Sequence, residues 1–141
     1  MIIRSDFFKE SRESLFGGKL LKPQVEGMTA ILDEWEKQKL TDLRWLAYMF
    51  ATCFHETAKT MQPIEEYGKG AGRKYGKKIK RSGVSYISPD KIYWGRGYVQ
   101  LTWYENYELM SRLLNIDLLR NPELALRPDV AARIMFEGMT K

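Results

Sequence analysis

The stretch "LAYMFATCFHETAKTMQPIEEYG", Leu46–Gly68, decides the fold. Its first half places apolar residues at three- and four-residue spacing, the pattern of an amphipathic helix. Thr41 or Asp42 can cap that helix, and Pro63 limits its extension, so the spacing predicts a helix ending near residue 58. Leu43, Leu46, Ala47, Phe50, Cys53 and Phe54 give it a wide apolar face, which makes it the central helix. The row Leu46, Met49, Cys53, Glu56 then carries a carboxylate along the stripe. A partly desolvated Glu56 would have a raised pKa and could serve as a general acid. The plainer reading is a helix-end carboxylate reaching solvent.

Outward from this helix the chain reads as further helices joined by turns. Pro23 suits a first helical turn, and Val25, Met28, Leu32 and Trp35 share one face, predicting a helix over 23–38. Residues 1–22 hold a short amphipathic segment and the Gly17-Gly18 turn. Residues 67–83, "YGKGAGRKYGKKIKRSG", are rich in glycine and cations and lack any acid, which predicts a loop. "VSYISPDKIYWG" surrounds a Ser-Pro-Asp turn with β-favouring residues, so a short hairpin is expected near 84–93. Tyr104, Tyr107, Met110, Leu113 and Leu114 predict a helix over 103–115, and Pro128 opens another over 128–139. With no repeat and no linker, residues 1–141 read as a single, mainly α domain.

Composition narrows the chemistry. A chain of 141 residues is one domain's length and can bury a core without staples. One cysteine cannot form an internal disulfide, and Cys53 sits on the apolar stripe. One histidine and one cysteine leave no zinc set, and no cofactor motif is present. Charges from Arg4 onward interrupt the first residues, so no signal peptide is expected; no run reaches the roughly 18–20 apolar residues of a membrane span. The expectation is a soluble protein made in the cytoplasm. A net charge of +5 favours a polyanion: nucleic acid, anionic lipid or anionic cell-wall polymer.

Two further constellations carry chemistry. Glu65 and Glu66 follow Glu56 by nine and ten residues, beyond Pro63, far enough for the chain to fold back across a cleft. Glycoside hydrolysis uses two carboxylates in different environments, one to protonate the leaving oxygen and one to activate water or stabilise the transition state. A solvated Glu-Glu pair is the bland alternative. His55, the sole histidine, could orient a neighbouring carboxylate. In "YWGRGYVQLTWYENY", Tyr93–Tyr107, glycines flank Arg96 and let backbone approach a ligand closely. Gln100, Thr102 and Asn106 place hydrogen-bonding groups among aromatics, which suits a sugar polymer; the same stretch also reads as a glycine-rich turn into a helix whose tyrosines pack inward.

Together, "HET" closing an apolar helix, the downstream "PIEEYG" and "YWGRGYVQLTWYENY" resemble the family 19 glycoside hydrolases, the chitinase-like enzymes of the lysozyme superfamily. The chain looks like their bacteriophage endolysin and prophage branch rather than the secreted, disulfide-bonded plant enzymes. The likeness runs from "QVEGMTAIL" through "NPELALRPDVAARIMFEGM". It implies a lysozyme-like helical domain in which Glu56 is the general acid and Glu65 or Glu66, with Glu65 favoured, is the second acid. It implies that Thr102 holds the attacking water and that Arg96 organises the carboxylates. His55 matches the histidine before the acid, and Tyr98, Gln100, Asn106 and Tyr107 fall in the substrate groove. "HETAKTM" stands where the family has a glycine-rich turn. No Asn-Ala-Arg-Arg-like segment occurs before Lys141, so a C-terminally shortened catalytic domain is expected.

The resulting expectation is a monomeric, cofactor-free and metal-free glycosidase cleaving β-1,4 bonds of peptidoglycan or a related N-acetylglucosamine polymer. It would reach the wall after release by a separate membrane-permeabilising protein. Chitin cleavage on the same fold is the near rival, followed by a lytic transglycosylase and a non-catalytic wall-binding remnant. Nucleic-acid binding explains the "GRKYGKKIKR" run but none of the Glu and Gly-Arg-Gly pattern, so no nucleic-acid partner is expected.

Overall fold

A computed structural model describes residues 2–140, so the reading of Lys141 as a shortened end lies outside the described residues. The chain forms five helices: α1 (Arg4–Leu15), α2 (Lys22–Lys37), α3 (Leu43–Glu56), α4 (Tyr104–Leu114) and α5 (Pro128–Thr140). The only paired strands among the described residues are β1 (Ile64–Glu65) and β2 (Arg96–Gly97). They run antiparallel, with Ile64 opposite Gly97 and Glu65 opposite Arg96. This is the mainly α, lysozyme-like architecture expected, and the four helices predicted from periodicity all form.

Local chemistry sets the helix ends. At the start of α2 the Gln24 Oε1 accepts the Leu21 N–H at 2.8 Å, and Pro23 occupies the first turn. At the start of α3 the Asp42 carboxylate accepts the Arg44 N–H at 3.0 Å, satisfying an otherwise orphan donor. Asn115 ends α4 in the left-handed region at φ 56°.

The core has two parts. Met28, Ile31, Leu32 and Trp35 of α2, Leu46, Met49, Phe50 and Cys53 of α3, and Ala131, Ala132, Met135 and Phe136 of α5 form the first. Phe7 of α1 packs on it, its ring 4.9 Å from that of Phe50. Tyr93, Tyr107, Met110, Leu114 and Leu118 form the second with Val130 and Ile134 of α5. Burial holds the Cys53 thiol well above its usual value, at about 12, so it is an inert core group. No helix among the described residues is long and apolar enough to cross a membrane.

Two expectations need correcting. The antiparallel pair does not lie at 84–93: Val84 and Ile87 are exposed, and that segment contributes only an isolated bridge between Ile79 and Ser85. Residues 84–86 turn back on the end of the cationic loop instead, the Lys80 N–H donating to the Val84 carbonyl at 2.8 Å and the Tyr86 N–H to the Lys78 carbonyl at 3.0 Å, a pairing too short to extend into a strand. The buried stripe of α3 also continues through Thr57 rather than Glu56. Thr57 is 0% exposed, and its hydroxyl donates to the Cys53 carbonyl at 2.7 Å while accepting the Met61 N–H at 3.0 Å. Glu56 is exposed. One helical turn past Cys53 falls between residues 56 and 57, and the group that can satisfy itself locally takes the inward place, whereas an unpaired buried carboxylate would be costly.

Candidate active site

The candidate site is built around the β1–β2 pair. Leu101 N–H donates to the Arg96 carbonyl at 2.8 Å and Arg96 N–H to the Leu101 carbonyl at 3.1 Å, closing a tight turn over 96–101. Gln100, at φ 54°, reaches back with its Nε2 to the carbonyls of Ile64, 2.8 Å, and Gly97, 3.1 Å. Its side chain therefore laces β1 to β2. The glycines beside Arg96 are required by close approach. A Cβ on Gly95 would lie 2.7 Å from Gln100 Oε1, and Gly97 has φ 99° with the Ala125 carbonyl 3.1 Å from where a Cβ would be.

Arg96 is 4% exposed and gathers most of the site. Its Nη1 donates to the Tyr107 hydroxyl at 3.0 Å and to the Ile92 carbonyl at 3.3 Å. The guanidinium carbon lies 4.1 Å from the centre of the Trp94 ring, a close cation–π stack. Its Nε points at Glu65 Oε1, 3.8 Å away, and has no hydrogen-bond partner. Trp94 Nε1 approaches the same Glu65 oxygen at 3.4 Å. Tyr107 is fully buried and donates to the Trp94 carbonyl at 2.7 Å; burial pushes its phenol up to about 12, so it stays a neutral strut.

Glu66 faces a different job. Its backbone N–H donates to the Gly95 carbonyl at 2.7 Å, and its carboxylate accepts the Gly70 N–H at 2.7 Å and the Tyr75 hydroxyl. That hydrogen bond to Glu66 is the leading cause that raises the Tyr75 phenol. Tyr75 packs edge-on against Trp103, ring centres 5.4 Å apart. Glu66 therefore clamps the start of the cationic loop against the site. Glu65, half-exposed, keeps most of its acceptor capacity.

Thr102 and Asn106 lie together at the entry to α4. Thr102 Oγ1 donates to the Gln100 carbonyl at 2.8 Å, and Asn106 Nδ2 donates to the Thr102 carbonyl at 2.9 Å. A hydroxyl whose proton is so engaged presents only lone pairs, and can accept a bond from a water.

The structure thus brings Glu65, Glu66, Arg96, Gln100 and Tyr107 into one hydrogen-bonded unit, with Thr102 and Asn106 attached through Gln100. His55 and Glu56 stand apart at the end of α3. Both are exposed, and neither side chain has a hydrogen bond or ion pair among the described residues. The turn joining Glu56 to β1 is fixed on α2: Gln24 Nε2 donates to the Lys59 carbonyl at 3.1 Å, and Gln62 Nε2 donates to the Pro23 carbonyl. Tyr98 is not in a groove. It is 0% exposed and its hydroxyl donates to the Gly27 carbonyl of α2 at 3.0 Å, tying the turn to the core. Sequence reasoning did not single out Trp94, Trp103 or Tyr75; the aromatics around "GRG" were the available signal for the two tryptophans, and for Tyr75 only its place among the glycines of the cationic loop. No group of three or more His, Cys, Asp or Glu among the described residues could hold a metal ion.

No protein-family model matches the chain. It is 44% identical over 92 residues to Endochitinase At2g43590 of Arabidopsis thaliana, covering 64% of this chain and 33% of that protein. Its structure superposes on chitinase C from Streptomyces griseus HUT6037 with a TM-score of 0.55 and 27% identity, covering 79% of this chain and 55% of that one. A bacterial family 19 chitinase gives a TM-score of 0.56 at 26% identity, with 79% and 56% covered. The fold is shared with these chitinases. The chain spans a third of the length of the plant relative and just over half of the solved chains.

Proposed function

We propose that the chain is a glycosidase domain hydrolysing β-1,4 bonds in an N-acetylglucosamine-containing polymer, with bacterial peptidoglycan as the substrate. The observation that carries the reading is the Glu65 carboxylate. It is aligned by Arg96 Nε at 3.8 Å and Trp94 Nε1 at 3.4 Å, yet left partly free, at the far end of the fixed turn that begins at Glu56. Similarity to plant endochitinases and to solved family 19 chitinases supports the reaction class.

In the proposed inverting reaction Glu56 protonates the glycosidic oxygen and Glu65 takes a proton from a water held on Thr102 Oγ1. Such carboxyl pairs stand roughly 6.5–9.5 Å apart, with the water between them. Glu56 is exposed in the free chain, where a glycan can reach it from solvent. Glu66, occupied by Gly70 and Tyr75, positions the loop rather than the water. The lysis setting, with access to the wall through a separate membrane-permeabilising protein, rests on the motif resemblance. Chitin is the second reading, favoured by the chitinases among the relatives.

The test is digestion of purified peptidoglycan and of an N-acetylglucosamine hexamer by the parent chain, Glu56→Gln and Glu65→Gln, with products read by mass spectrometry. Hydrolysed reducing ends from peptidoglycan, reduced about 100-fold or more in each variant, are expected. Products from the hexamer alone would move the substrate to chitin. Anhydro-muramyl ends would make it a lytic transglycosylase. No cleavage of either polymer by folded parent chain would make it a binding module.

A further inference from the structure

The segment Lys69–Arg81 carries seven cations and no acid, and its place beside the site gives that charge a direction. The loop is pinned at several points. Its start is held by Glu66 through Gly70 and Tyr75, and its end by Glu105, which accepts the Arg81 N–H at 2.7 Å and the Ser82 N–H at 2.9 Å. A short 3-10 turn at Lys74–Gly76 presses Gly76 so close to Gly70 that a Cβ on Gly76 would sit 1.9 Å from the Gly70 carbonyl oxygen.

Within this fixed lobe the cations divide by partner. Lys78 pairs with Asp90, Lys80 lies over the Tyr104 ring at 4.5 Å, and Lys69 lies 5.9 Å from the Trp94 ring centre. Arg73, Lys74, Lys77 and Arg81 are exposed and form no ion pair among the described residues. Four unneutralised cations are thus held on a lobe whose Tyr75 rests on Trp103, next to Thr102. Holding like charges together is unfavourable in the free protein and becomes favourable against an anionic ligand. A neutral polymer gains nothing from them.

We propose that Arg73, Lys74, Lys77 and Arg81 form a carboxylate-reading surface flanking the cleft. It selects glycan strands that bear acidic peptide substituents over uncharged chitin-like strands. The inference rests on the proposed glycosidase reading and adds the charge class of its substrate. A strand lying along Glu65 and Thr102 would present its carboxylates to this lobe, because Glu66 and Trp103 join the two. The four cations act mainly on encounter and affinity, and their contribution is screened by salt.

The test measures binding rather than cleavage, in the Glu56→Gln chain. Three soluble ligands are titrated: peptidoglycan strands with intact stem peptides, the same strands with their carboxylates amidated, and the neutral N-acetylglucosamine hexamer. The combined variant Arg73→Gln, Lys74→Gln, Lys77→Gln, Arg81→Gln is compared after its melting curve is checked. The intact strands are expected to bind about tenfold more tightly than the amidated ones at low salt. Both the variant and added salt should abolish that margin, while affinity for the hexamer stays within about twofold. Equal binding of intact and amidated strands by the parent chain would overturn the proposal without any variant. So would equal losses on charged and neutral ligands, or salt-sensitive binding to duplex DNA or lipopolysaccharide that exceeds binding to the intact strands. If the parent chain cleaves nothing but the charge selectivity holds, the glycosidase reading fails and the four cations are the charge-reading surface of a wall-binding module.

Discussion

Arg96 Nε lies 3.8 Å from Glu65 Oε1 across the β1–β2 pair, buried and without a hydrogen-bond partner. An unsatisfied buried N–H is costly, and this one is aimed at a half-exposed carboxylate. The pair is too long and too wet to contribute much on its own. Its consequence is orientational: the charge that fixes Glu65 is itself fixed from behind by Trp94, Tyr107 and Ile92.

Arg96→Lys tests that backing. The lysine keeps the charge but loses the planar fork and most of the stack on Trp94. Two hydrogen bonds at about 1 kcal/mol each and a cation–π contact of similar size give an expected loss of about 2–3 kcal/mol. Urea unfolding checks it. A shift under about 0.5 kcal/mol would mean that Arg96 is not what holds this end of the site together.

Tyr98→Phe separates a core role from a groove role. The resemblance places Tyr98 with the substrate residues, whereas the structure buries it against Gly27. Removing the hydroxyl takes one bond from the Gly27 carbonyl, which keeps its place in α2, and should cost about 1 kcal/mol. The affinity for the hexamer should not change. A KM or Kd effect without a stability loss would return Tyr98 to the groove.

The helices were legible because each repeats an apolar face over three or more turns; packing buries most of each face, while Leu43 and Ala47 of α3 and Leu113 of α4 stay exposed. The site was legible only where glycines and acids cluster, around Arg96 and Glu65. What escaped the sequence depends on single long-range approaches. Gly27 lies in the middle of α2 with no local reason to be glycine. Yet a Cβ there would sit 1.5 Å from the Met61 carbonyl oxygen, so Gly27 lets the turn after α3 dock on α2. Strands of two residues, Ile64–Glu65 and Arg96–Gly97, are too short to show alternation. The choice between Glu56 and Thr57 for the inward position was settled by a hydroxyl bond within the last turn, which periodicity does not encode.

The attachment of the cationic loop should weaken in acid. Partial burial alone would raise the Glu105 carboxyl, but the Arg81 and Ser82 N–H groups outweigh it and hold the carboxyl below its usual range. A depressed folded value means that the stabilisation is present above the ordinary glutamate pKa of about 4.3 and is lost as pH falls through the folded value. Hydrogen exchange at Arg81 and Ser82, corrected for intrinsic rates, should therefore stay slow near neutrality and accelerate below about pH 4. Glu105→Gln should remove that pH dependence. Unchanged protection at low pH would show that another contact anchors the loop end.

At the alkaline end the buried tyrosines set the limit. Burial pushes Tyr86 and Tyr107 up to about 12, and Tyr93 and Tyr98 higher still. An unfolded tyrosine ionises near 10. The folded state therefore holds these protons more tightly. Stability is fully present below about pH 10 and declines as pH rises through the folded values. Tyr107 matters most for the site: its ionisation would break its donation to the Trp94 carbonyl at 2.7 Å and leave a charge beneath Arg96. Far-ultraviolet circular dichroism and phenolate absorbance, followed together from pH 9 to 12, should show a shared step above about pH 10, in which buried phenolates appear only as helicity is lost. Tyr107→Phe removes one coupled proton and should make the transition shallower, while weakening the hold on Arg96. Phenolate absorbance from all four residues rising before any loss of helicity would mean that these rings reach solvent in the folded chain, and the buried strut beneath Arg96 would have to be abandoned.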